Sequence, residues 1–108
     1  MRLAARLLAG CFVLGGVVGG LPAAAQSRDW PAERCARYAA ATEQAFERIG
    51  RAGLGPDFLS AHETFLTSGC RTRAVCPRSA EELRMADALT VAAMNIGAAS
   101  TFVPFACR

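Results

Sequence analysis

The sequence predicts an all-α fold: a small three-helix bundle with a folded-back C-terminal tail, stapled by two disulfides and preceded by a signal peptide. Three observations predict it. Apolar residues recur at helical spacing in three stretches, and Gly and Pro clusters separate those stretches. The first 25 residues have the make-up of an export signal, and without them four cysteines remain.

The N-terminus comes first. Arg2 and Arg6 form a positive start, and Leu7 to Leu21 is an uncharged apolar run containing Gly15, Gly16, Gly19 and Gly20. Pro22 ends any helix there, and Ala23, Ala24 and Ala25 supply the small residues that a signal peptidase requires. Residues 1–25 are therefore assigned to a cleavable signal and 26–108 to one domain. Leu8, Ala9, Gly10 and Cys11 match a lipobox, but the preceding apolar run is short and the following residues are apolar instead of a polar tether. An uncleaved anchor fits poorly with the glycine content of so short a run.

The first helix is expected from Asp29, a capping residue, and Pro31, which suits a first turn. Cys35, Tyr38, Ala39, Thr42, Phe46 and Ile49 form its apolar stripe. Thr42 is tolerable there because its hydroxyl can bond back to the preceding turn. Glu33 with Arg37, and Glu47 with Arg51, are spaced for exposed helical ion pairs. Gly50, Gly53, Gly55 and Pro56 stop the helix.

A second, shorter helix is expected from Pro56 or Asp57. It carries Phe58, Leu59, His62, Phe65 and Leu66 on one side, and Gly69 is its left-handed terminator. His62 is expected at the boundary of the core. Residues 70–78 are expected to form a loop. Ser79 with Glu82 makes a capping box that opens a third helix, with Leu83, Ala86, Leu89, Thr90, Ala93 and Ile96 or Gly97 on its apolar side. Residues 88–106 carry no charge; Thr90, Asn95, Ser100 and Thr101 dilute them, so a buried helix and tail are preferred to a membrane segment.

The cysteines follow from this layout. In an antiparallel pairing of the first two helices, Cys35 and Cys70 each lie roughly 22 Å from the intervening turn. They then sit at one level and can bond. Cys76 is paired more weakly with Cys107, because about 33 Å of tail can return along the third helix. Two other connectivities remain open, including Cys70–Cys76 with Cys35–Cys107. Four paired cysteines in a domain of this size fit an oxidising compartment.

Charge narrows the function. All 12 basic residues are arginine, set against 9 acidic ones. Loss of Arg2 and Arg6 leaves the domain near neutrality. A concentrated basic face for nucleic acid is not evident, and no nucleic-acid partner is expected. An Arg-only, Ala-rich composition suggests a GC-rich bacterial genome, and so a periplasmic or secreted destination.

No catalytic residue is assigned. The spacing Cys70-x5-Cys76 is unlike a redox Cys-x-x-Cys, and no Gly-x-Ser-x-Gly turn is present. His62 is the single histidine and its neighbour Glu63 points elsewhere on a helix, so neither a metal nor a cofactor is expected. The candidate anion- or partner-binding residues are Arg71, Arg73 and Arg78, in the loop around the middle cysteines. The expected role is that of a non-enzymatic interaction module acting through a protein partner. Two alternatives are a binder of membrane surfaces using 88–106 and a redox or enzymatic protein.

Overall fold

The computed structural model describes residues 15–16 and 29–108. The proposed signal and its cleavage site lie outside the described residues, apart from Gly15 and Gly16. Three α-helices follow in order, α1 (Trp30–Ile49), α2 (Pro56–Thr67) and α3 (Ala80–Asn95), then a single 3-10 turn, Ser100–Phe102.

The chain starts α1 at Trp30 with Pro31 in the first turn. Asp29 holds the capping position, but its side chain accepts no hydrogen bond there. Its carbonyl receives the Glu33 amide instead, at 2.8 Å. Gly50, at φ 92°, ends α1. The α2 and α3 C-termini close by one device. Gly69 and Gly97 adopt φ 75° and 93°. The amides of Cys70 and Ala98 then reach back to the carbonyls of Phe65 and Ala93, each at 2.9 Å. This left-handed closure satisfies carbonyls that the helix end would otherwise leave bare. Gly97 therefore stands beyond α3, not on its stripe. It also admits the Trp30 ring from the start of α1, whose edge would lie 3.7 Å from a Cβ placed there.

That contact fixes the topology. The end of α3 meets the start of α1, and the start of α3 meets the turn before α2, where Glu82 bonds Gly55. So α1 runs antiparallel to both neighbours, while α2 and α3 run the same way. The loop 68–79 must return along the length of the bundle to connect them. The tail after α3 descends beside it, in parallel: Val75 donates to the Pro104 carbonyl (3.1 Å) and receives the Ala106 amide (2.9 Å).

Both disulfides have the expected pairing. Cys35–Cys70 ties the start of α1 to the end of α2, and Cys76–Cys107 ties the loop to the tail. The backbones of α1 and α3 lie in contact. Small buried side chains, Ala45 on α1 and Ala86 and Ala93 on α3, suit that approach. Between α1 and α2 the space is filled by rings, with Tyr38 against Phe65 and Phe46 against His62.

The core comprises Tyr38, Ala45, Phe58, Phe65, Val75, Met85, Leu89, Ala93 and Phe102. Cys35, Phe46, Leu59, Leu66 and Ile96 are partly buried against it, and two expected members are exposed. Ile49 is exposed because α1 ends beside it, and the seam runs Tyr38, Thr42, Ala45. Leu83 is exposed because α3 turns Glu82 and Met85 inward. Of the two expected ion pairs, Glu33–Arg37 forms at 2.8 Å. Arg51 lies past the end of α1 and stands 4.5 Å over the Phe46 ring instead of pairing with Glu47.

Candidate functional site: an aromatic cage and an arginine-bearing loop

His62 is not a boundary residue. It is 2 % exposed, on the inner face of α2. Phe58 and Phe105 lie nearly parallel to its ring, each at 14°, with centroids 6.4 and 6.2 Å away. Phe46 and Phe65 approach at 6.2 Å each. The fifth wall is Tyr38, whose hydroxyl lies 2.8 Å from His62 Nε2. Four of these rings come from α1 and α2, and Phe105 comes from the tail.

The cage sets the protonation states. Burial holds the His62 imidazole neutral, lowering it from 6.5 to about 4. Burial likewise raises the Tyr38 phenol above its ordinary value, against a smaller opposing effect of the Thr42 hydroxyl. A neutral phenol and a neutral imidazole can share one hydrogen bond without a charge entering the core. Thr42 donates its hydroxyl to the Tyr38 carbonyl at 2.9 Å, as its place on the stripe predicts.

A second buried polar cluster lies where α2 and α3 begin. Ser79 Oγ accepts the Glu82 amide at 3.0 Å and donates to the Gly53 carbonyl at 2.9 Å. Glu82 completes the box one residue early, accepting the Arg78 amide on Oε1 at 2.9 Å. Its Oε2 accepts the Gly55 amide, also at 2.9 Å. These amides hold the carboxyl below the ordinary carboxylate range, against the raising effect of burial. Gly53 is required beside this junction: its φ is 79°, and a Cβ would collide with Glu81.

The arginines are distributed along the loop. Arg71, Arg73 and Arg78 are all exposed. Arg71 follows Cys70 at the end of α2 and lines a surface depression with Asp29, Pro31, Ala32 and Gly69. Arg78 stands at the other end of the loop, its amide committed to Glu82. The fold therefore presents Arg71 and Arg78 at separate levels, not as one cluster. Arg34, which the sequence did not single out, stacks 4.5 Å over Phe102 with its Nε buried and without a hydrogen-bond partner.

The uncharged segment 88–106 divides in the structure. Leu89, Ala93, Ala98, Phe102 and Pro104 are buried, while Val91, Met94 and Thr101 are exposed. Among the described residues, no helix is long and apolar enough to cross a membrane. Val91 and Met94 share the outer side of α3 with Leu83; these residues are 52, 47 and 53 % exposed. The signal for this stripe was present in the spacing of 83, 87, 91 and 94.

No family model matches this chain, and neither the curated proteins nor the solved structures give a significant match.

Proposed function

We propose that the domain is a non-catalytic interaction module of the bacterial periplasm or exterior, acting through a protein partner. The observation that carries this reading is the outer face of α3. Leu83, Val91 and Met94 remain exposed there, arranged around Asp87 at helical spacing. A helix that already buries Met85, Leu89 and Ala93 on its other side gains nothing within the monomer from this second apolar stripe. The buried polar groups support the same reading. Tyr38, His62, Thr42, Ser79 and Glu82 all join one element to another or complete a helix turn. The two disulfides, which use all four cysteines of residues 29–108, suit an oxidising compartment.

The test is site-specific photo-crosslinking in the periplasm of cells that express the protein. The probe is placed at Val91 and, as a control, at exposed Ala40 on α1. A protein adduct from Val91 alone, weakened by Leu83→Glu at unchanged melting temperature, supports the reading. Failure of both positions to yield an adduct at any salt concentration overturns it. Flotation of the purified protein with anionic liposomes would instead place the exposed stripe and the loop arginines at a membrane surface.

A further inference from the structure

We propose that the C-terminal tail is an acid-operated latch: protonation of His62, packed in one triangle of rings with Phe58 of α2 and Phe105 of the tail, drives Phe105 off the helices and opens the cage to water.

Tyr38, Phe46, Phe58 and Phe65 are fixed on α1 and α2, within helices of 20 and 12 residues. Phe105 belongs to no helix and is only partly buried. It stacks on both His62 and Phe58, at 6.2 Å in each case. Its backbone is held by one isolated bridge, with hydrogen bonds to Val75 on either side, and by the neighbouring Cys76–Cys107 bond. Phe105 is thus the one wall of the cage that can leave without unwinding a helix. The disulfide keeps the displaced tail attached, so the latch can close again.

The charges around the cage decide the sign. From α1, Tyr38 offers a phenol, and its hydroxyl is the group paired with Nε2. From α2 and the tail come only rings. Arg51 covers the outer face of Phe46 and Arg34 the face of Phe102, a ring that packs on Tyr38 and Phe65. Both are cations. On α3, the Glu82 carboxylate is engaged by the Arg78 and Gly55 amides. An imidazolium in the closed cage therefore meets no opposing carboxylate. Both of its ring nitrogens are then donors, so the Tyr38 hydroxyl must accept from Nε2 and turn its own proton elsewhere. Hydration through the tail side relieves both defects. The step adds one solvent proton to the ring and transfers no electrons.

The thermodynamic leverage follows from linkage. With the buried ring at about 4 and a hydrated ring near 6.5, the ratio of open to closed latch rises by about 100-fold between neutral pH and pH 4.

The experiment is amide hydrogen exchange on the oxidised protein at pH 7 and pH 4, expressed as protection factors so that intrinsic chemistry cancels. The Val75 and Ala106 amides report the bridge, and the Ala45 and Leu89 amides report the helices. The expected result is a loss of protection of about ten- to 100-fold at Val75 and Ala106, with Ala45 and Leu89 remaining more strongly protected than the bridge at both pH values. His62→Gln removes the change. Protection that falls to one common level at all four amides, protection insensitive to pH, or an unchanged response in His62→Gln overturns the proposal. Should that variant fail to fold, Phe105→Ala serves with NMR titration of the His62 ring. Its midpoint then rises toward 6.5 if the tail is the barrier to water, and a midpoint left near 4 overturns the proposal.

Discussion

His62 and Glu82 are both buried, one among rings and the other among amides. The cage around His62 offers a single polar contact, the Tyr38 hydroxyl, and so it accepts only a neutral guest. The junction around Glu82 offers backbone amides from Arg78 and Gly55, and so it accepts a carboxylate. The difference lies in available donors. A buried charge is tolerated where the backbone has unpaired N–H groups to give, as it does at helix starts. A helix interior has none left. One small bundle therefore stores an acid and a base within its fold, each in the state its surroundings can hydrogen-bond.

The strongest attack on the cage is removal of a wall. Phe65 is completely buried between Tyr38, His62 and Phe102. Phe65→Ala should lower unfolding free energy by about 3–5 kcal/mol in a denaturant titration. A loss near zero would mean that the rings do not form one core.

Acid should separate the two regions without mutation. The unfolded His62 gains a proton below about 6.5, whereas the folded ring resists until about 4. Its stabilisation is complete above 6.5 and is lost as pH falls through that window. The loss amounts to roughly 3 kcal/mol. Glu82 is also depressed in the folded state, so its contribution is complete above the ordinary carboxylate value of 4.5 and is lost only as pH falls further. Denaturant midpoints measured from pH 7.5 to 3 should thus fall in two stages, the first missing from His62→Gln. Acid loss in a single stage below 4.5 would contradict the buried neutral imidazole.

The junction should respond less to substitution than the cage. Glu82→Gln keeps the shape but removes the charge from two amide contacts, and should cost about 1–3 kcal/mol. Smaller still, Ser79→Ala removes one cap and one link to Gly53, for about 1 kcal/mol. Melting curves of the two variants check the order.

The legibility of these two regions in the sequence was unequal. Helix bounds came from Pro31, Pro56, Gly69 and the Ser79 cap, because local backbone chemistry determines where a helix starts and stops. The cysteine pairs came from counting levels along helices. The exposure of Ile49 and Leu83 was misjudged, since spacing defines a face but not which neighbour reaches it. Ala45 and Met85 took those places. His62 was placed at the boundary because an imidazole among phenylalanines gives no hint of its partner, and Tyr38 lies 24 residues away. Glu82 was legible as a cap but not as the link to Gly55, which depends on α2 and α3 starting at the same end. Arg71, Arg73 and Arg78 are close in sequence, yet a loop that runs the length of the bundle separates its first and last arginines.

The order of the cysteines has a consequence for biogenesis. Cys35 meets Cys70 before Cys76 and Cys107 appear in the chain, and the two covalent loops share no residue. If the expected signal at residues 1–25 takes Cys11 out of play, a thiol oxidase that joins each of the other cysteines to the one waiting makes both native bonds and no others. Such a chain can mature under a simple vectorial oxidant, with no isomerase to correct its pairing.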